Sequence, residues 1–162
     1  MSGVTQIRDH LLEELELAVK TGSSLIALIK DGEWDYRPQD NMRSLVELTH
    51  HLVAIPASDL AIMQERSESE VAQVENAAAG IRSPEELQAR YESNLAAFKD
   101  YFLSLSEEEL LGKTTKAFYA EEGMVQIKWL IEVVTHSFHH RSQLYNYLKQ
   151  NGHELSFFML YG

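Results

Sequence analysis

THSFHHRSQLY, residues Thr135 to Tyr145, carries His136, His139 and His140 within five positions. Its surroundings decide the fold. From Val125 onward, Ile127, Leu130, Ile131, Val134, Phe138 and Leu148 recur at threes and fours, the signature of an amphipathic helix over about residues 125–151. Gly152 follows as a natural C-terminal stop. Successive helical residues turn by about 100°, so positions four apart share a face. His136 and His140 therefore form a facing pair. They lie on the flank of the apolar stripe, along a second line with Trp129, Val133 and Tyr147. His139 points to the more polar side, near Glu132 and Gln143.

Two imidazoles at i and i+4 can chelate one ion, but a metal site needs a third ligand from elsewhere. The sequence has no cysteine, which leaves histidine, carboxylate and carbonyl ligands and excludes disulfides and cysteine nucleophiles. An upstream helix offers Glu47, His50 and His51. His51 falls on the margin of the Leu48–Leu52–Ile55 stripe, whereas His50 points outward. Glu47, one turn before His51, is open to three uses: a fourth ligand or general base, an acceptor for an imidazole N–H, or a helix cap with Ser44. The cap takes precedence, because Ser44 and Glu47 have capping-box spacing. His10 and His153 have no evident partner in the pattern.

Three more helices are legible. The first spans about residues 5–30, with Ile7, Leu11, Leu15, Val19, Ile26 and Ile29 as its stripe and a break in rhythm at Thr21-Gly22-Ser23-Ser24. Residues 33–38 read as an extended connector, since Arg37 precedes a proline. The second helix starts near Ser44 and carries Leu45, Leu48, Leu52, Ile55, Asp59 and Ile62 on one stripe, with a kink expected at Pro56. Residues 67–80 read as its end plus a loop. Ser83-Pro84-Glu85-Glu86 starts the third helix, whose buried stripe is Leu87, Tyr91, Leu95, Phe98 and Phe102. Ser106 opens a short helical turn. Between Lys113 and Met124 the helical period vanishes, which predicts a small extended excursion or hairpin. The apolar tail LSFFMLY, residues 155–161, is expected to dock on the bundle or on a second subunit. The whole predicts one all-α domain over residues 1–162: an antiparallel four-helix bundle with a short extended excursion before the last long helix.

Charge narrows the partners. Twenty-five acidic residues against 14 basic give a net charge of −11, which argues against nucleic acid and anionic membrane. No leader pattern and no run of 18 apolar residues is present, so a cytoplasmic location is the default expectation.

Three pieces carry a family resemblance. Tyr36-Arg37-Pro38 with Ser44-Leu45-Val46-Glu47-Leu48-Thr49-His50-His51-Leu52 is similar to an RP connector followed by an S-x-x-E-L-x-x-H-L helix. His136 to Leu144 is similar to an HxxxHRxQL signature. Phe158 to Gly162 is similar to a tail ending in YG. On these the chain resembles the DinB/YfiT-like superfamily of metal-binding four-helix bundles over nearly its whole length. The resemblance implies that His51, His136 and His140 bind a divalent cation, zinc or nickel; helical phasing selects His51 over His50 independently. Ser142 stands where that family often has glycine. Arg141 is expected to be structural, paired with a buried carboxylate or carbonyl.

Three imidazoles leave a coordination position open, as in catalytic zinc sites. The resemblance implies a thiol S-transferase of the bacillithiol type acting in detoxification or stress response, with a small-molecule thiol and an electrophile as its substrates. A metal-dependent hydrolase and a non-enzymatic stress-induced metal-binding or sensor protein are the alternatives. The family's homodimers imply the same assembly here, with the apolar tail and the aromatic line of the last helix as surfaces in need of cover.

Overall fold

A computed structural model describes residues 3–162. Four long helices form the bundle: α1 (Gly3–Ile26), α2 (Leu45–Met63), α4 (Pro84–Ser104) and α6 (Gln126–Gln150). Two short helices, α3 (Glu68–Glu75) and α5 (Glu107–Gly112), follow α2 and α4. A two-stranded antiparallel ladder, β1 (Thr114–Thr115) with β2 (Met124–Val125), is the extended excursion before α6; Thr114 faces Val125 and Thr115 faces Met124. The antiparallel four-helix bundle is as expected. No helix among the described residues is long and apolar enough to cross a membrane.

The caps explain the boundaries. Ser44 accepts from the Glu47 amide, and the Glu47 carboxylate accepts from the Ser44 amide at 2.6 Å, so both orphan donors at the start of α2 are satisfied. Ser83 and Ser106 start α4 and α5 as read from the sequence. At the end of α6 the amide of Gly152 bonds the carbonyl of Lys149 and that of His153 bonds Leu148, a Schellman closure that needs the positive φ of Gly152, 93°.

Several boundaries differ from the sequence reading. The segment after α2 is not only a loop: Ser67 and Glu70 form a capping box that starts α3, the same S-x-x-E signal read correctly at Ser44. The first helix ends at Ile26 rather than Lys30, and a 3₁₀ turn over Asp31–Glu33 opens the connector. Pro56 lies inside α2, where the sequence reading put it, and is buried. Ile7 is 56 % exposed and does not belong to the core stripe.

Helices α1 and α2 each pack mainly on α4 and α6 rather than on one another, so α1 and α2 occupy opposite corners. Close contact of α1 and α4 explains the break in rhythm in α1. A side chain at Gly22 would put its Cβ 3.2 Å from the ring of Tyr91 and 3.6 Å from Leu52, so the small residue admits a fully buried tyrosine.

On α6, the line of Trp129, Val133 and Tyr147 is buried within the single chain, while Ile131 is 40 % exposed. That aromatic line therefore needs no second subunit to cover it, and the buried face of α6 is centred about one position before the expected stripe. The tail docks on the bundle. Its 3₁₀ turn, Phe157–Leu160, packs on α1, with Met159 and Leu160 half-buried and Phe157, Phe158 and Tyr161 left exposed. Arg141, buried on α6, donates through Nη1 to Thr21 Oγ1 and to the Leu160 carbonyl, each at 2.9 Å, and stacks over Phe138. The expected carbonyl partner is thus found, and it ties the tail to α1 and α6.

Candidate metal centre

The contact between α2 and α6 brings together residues 85 and 89 positions apart. Nε2 of His51 lies 3.2 Å from Nε2 of His136 and 3.1 Å from Nε2 of His140. All three ligand atoms fall within 4.8 Å of one another, and among the described residues this is the one grouping of three such side chains able to hold a metal. Two imidazoles ligating one ion at about 2.0–2.1 Å sit about 3.0–3.4 Å apart for octahedral to tetrahedral angles. The observed spacing suits a divalent cation.

The remaining ring nitrogens fix which atoms face inward. Nδ1–H of His136 donates to Asp59 Oδ2 at 2.9 Å. Nδ1–H of His140 donates to Gln143 Oε1 at 2.7 Å. Both acceptors lack a proton to give, so each Nδ1 carries the hydrogen and each Nε2 presents a lone pair to the cluster. Burial pushes the His51 pKa down to about 3, with contributions from His140, Arg43 and His136. Burial likewise lowers His140 to about 4, opposed by the Gln143 bond and assisted by His136, His139 and Arg43. His51 and His140 are therefore held neutral well into the acid range, the form a metal ligand needs.

The other histidines are each accounted for. His139 is exposed, as expected, yet its Nε2 meets Gln143 Nε2 at 3.2 Å, so it braces the residue that orients His140. His50 is not a solvent group: it is half-buried and its Nε2 bonds the Ile81 carbonyl at 2.7 Å, anchoring the loop before α4. His10 and His153 both have partners the pattern did not reveal. His10 pairs with exposed Glu13, and His153 meets both carboxylate oxygens of Glu33 at 2.9 Å.

Glu47 holds the cap of α2 and pairs with Arg37 at 3.0 Å. The Ser44 amide, first, and Arg37 keep its carboxyl below the ordinary range, which suits an acceptor better than a base at neutral pH. Asp59 is the functional residue missed by the sequence reading. Its signal was present: an acidic group on the apolar stripe of α2, two turns beyond His51.

A model of the DinB family matches residues 1–159. No curated protein matches the chain. Among solved structures, a DinB-family member from Exiguobacterium sibiricum is 28 % identical, covers 98 % of this chain and 99 % of its own, and superposes with a TM-score of 0.79. A DinB-like protein from Bacillus subtilis, YjoA, is 18 % identical over 92 % of this chain and 97 % of its own, with a TM-score of 0.68. YfiT from Bacillus subtilis, described as a probable metal-dependent hydrolase with an unusual four-helix bundle topology, is 16 % identical over 95 % of this chain and 91 % of its own, with a TM-score of 0.73. With the family model spanning residues 1–159, the chain belongs to the DinB family.

Proposed function

We propose that this protein is a divalent-metal enzyme that transfers a small thiol to an electrophile, with His51, His136 and His140 holding a zinc or nickel ion. The observation that carries the reading is the convergence of three imidazole nitrogens, with no carboxylate of the described residues in the group. When bound, such an ion supplies Lewis acidity at an open position and lowers the pKa of a thiol or water held there.

The chain's own residues do the rest. Asp59 and Gln143 hold two imidazoles in the tautomer whose lone pairs face inward. The nucleophile comes from outside, because the chain has no cysteine. In the overall reaction the thiol loses its proton to solvent, a sulfur–carbon bond forms, and the leaving group departs with the electron pair of the bond it breaks. A detoxifying role follows from that chemistry, since reactive electrophiles are consumed.

A second reading is a hydrolase in which water replaces the thiol, favoured by the description of Bacillus subtilis YfiT. One experiment separates them. The zinc- or nickel-loaded protein is assayed with glutathione, bacillithiol and mycothiol against a fluorogenic bimane electrophile, and in parallel with ester and amide substrates without thiol. Metal-dependent, thiol-dependent conjugation is the expected result. Hydrolysis without conjugation would replace the first reading by the second, and neither activity would refute both.

A further inference from the structure

Three depressions surround the histidine cluster, and they share walls. The largest, about 740 Å³, is lined by Arg37, Arg43, Glu47, Gln143 and Tyr147 among others, and so reaches the cluster through the amide that orients His140. A small one of about 190 Å³ is lined by His51 itself together with Glu47, His50 and Glu75. The third, about 340 Å³, contains His136 and Asp59 with Glu75, Tyr119, Met124 and Trp129. Glu47 borders the first two and Glu75 the last two, so the three depressions adjoin beside the cluster and together make up a groove.

The ends of this groove differ in chemistry. At the first end Arg37 is engaged by Glu47 and by the Met42 carbonyl. Arg43 is exposed, and no ion pair of its guanidinium is seen among the described residues. Its backbone is pinned, since Tyr147 donates its hydroxyl to the Arg43 carbonyl at 3.0 Å. Its charge is felt at both His51 and His140. Asp40 shares this wall, so the end is mixed in charge, with Arg43 as its available strong donor.

At the other end, the walls are Ile62, Met124, Tyr119 and the edge of Trp129. The indole N–H is already spent on Thr115 Oγ1 at 3.1 Å. The charged groups are Asp59, Glu75 and Glu132, and the neighbouring cation Lys128 is paired to Glu132 at 2.6 Å. Burial, first, and the carboxylates of Asp59 and Glu132 raise the Tyr119 pKa, so its phenol stays neutral. An anion entering here meets carboxylates and no Lys or Arg among the described lining residues, whereas an apolar group meets aromatic and thioether surface.

We infer that the groove is a two-substrate channel: a donor bearing an acidic group binds at the Arg43 end, and an uncharged apolar acceptor binds at the Tyr119 end, with the histidine cluster between them. This rests on the transferase reading for the names donor and acceptor, but the sidedness is a binding property and is tested without turnover.

The test uses the zinc-loaded full chain and two probes, succinate for the acidic group and the neutral naphthalene dye Prodan for the apolar one. Arg43→Ala weakens succinate binding about tenfold or more and leaves Prodan unchanged, and Arg43→Lys recovers part of the loss. Tyr119→Ala weakens Prodan about tenfold and leaves succinate unchanged. Both side chains are exposed, so neither change removes a core contact, and retained zinc stoichiometry checks the fold. Equal effects of one variant on both probes, or no effect on either, would overturn the inference. Sided binding without any conjugation would sink the transferase reading alone; conjugation without sided binding would sink this one alone.

Discussion

Removing the carboxylate of Asp59 should weaken metal binding while sparing the fold. Asp59 Oδ2 accepts from His136 Nδ1 at 2.9 Å, and the aspartate side chain is 15 % exposed against 33 % for the imidazole. The bond is charge-assisted and shielded, so it both fixes the tautomer and makes the inward Nε2 more basic. Loss of such a partner typically costs 10- to 100-fold in metal affinity, about 1.4–2.8 kcal/mol. Asp59→Ala should fall in that range. Asp59→Asn keeps an acceptor oxygen but not the charge, and should fall between wild type and Asp59→Ala. Water can reach a one-third-exposed imidazole and satisfy the freed N–H, so the metal-free variant should lose at most about 1 kcal/mol of stability. The assay is competition for zinc against a chromophoric chelator at pH 7.5, with urea unfolding of the EDTA-treated protein alongside. Affinity of Asp59→Ala equal to wild type would refute the orienting role. A loss as large as that of His136→Ala would show that the ring no longer ligates at all.

His51→Ala, His136→Ala and His140→Ala should each lose stoichiometric divalent metal, while His50→Ala and His139→Ala retain it; full stoichiometry in the first three by elemental analysis refutes the ligand set. Unfolded histidine takes up protons near pH 6.5, whereas folded His51 and His140 stay neutral down to about 3 and 4. The metal-free protein should therefore lose stability as pH falls below about 6.5, with the slope vanishing near pH 3–4, and His51→Ala should flatten it; a urea midpoint equal at pH 7.5 and pH 5 refutes this. Gly22→Leu should force the Tyr91 ring aside, costing about 1–3 kcal/mol and lowering the Tm by several degrees, and an unchanged Tm would dismiss the close contact of α1 and α4. A homodimer that buries Phe157 and Phe158, 59 % and 69 % exposed, should run near twice 18.5 kDa by light scattering, and Phe157→Asp with Phe158→Asp should halve that mass; a wild-type mass of 18.5 kDa removes the proposal.

Elements with local signals were legible in the sequence. Ser44 with Glu47, Ser83 with Pro84, and Gly152 mark boundaries through bonds between near neighbours, and all three are found. The facing pair His136 and His140 followed from helical phasing alone. What escaped depends on contacts between distant segments. Asp59 was seen on the stripe of α2, but its partner lies 77 residues away, and nothing in the spacing says which side chain it meets. His153 and Glu33 are 120 residues apart, and the same holds for Arg141 and Thr21. The error on α6 has a different cause. Its apolar residues cover more than one face, so hydrophobicity could not tell that the Trp129 line is buried and Ile131 is not. The Ser67–Glu70 capping box is a local signal too, but the weak periodicity after it hides the short helix it starts.

The opposite-corner placement of α1 and α2 has a consequence for how the chain folds. Helix α1 does not pack on α2, and within the first half only the short α3 covers α2, so α1 to α3 alone enclose no core. Each must wait for α4 and α6, and the histidine cluster closes only when α6 meets α2 across an 85-residue loop. Folding is therefore all-or-none across the domain: fragments cut between α3 and α4 should be unfolded apart. Mixed together they should recover structure only as a pair, and a divalent cation that binds the joined form alone should drive the joining.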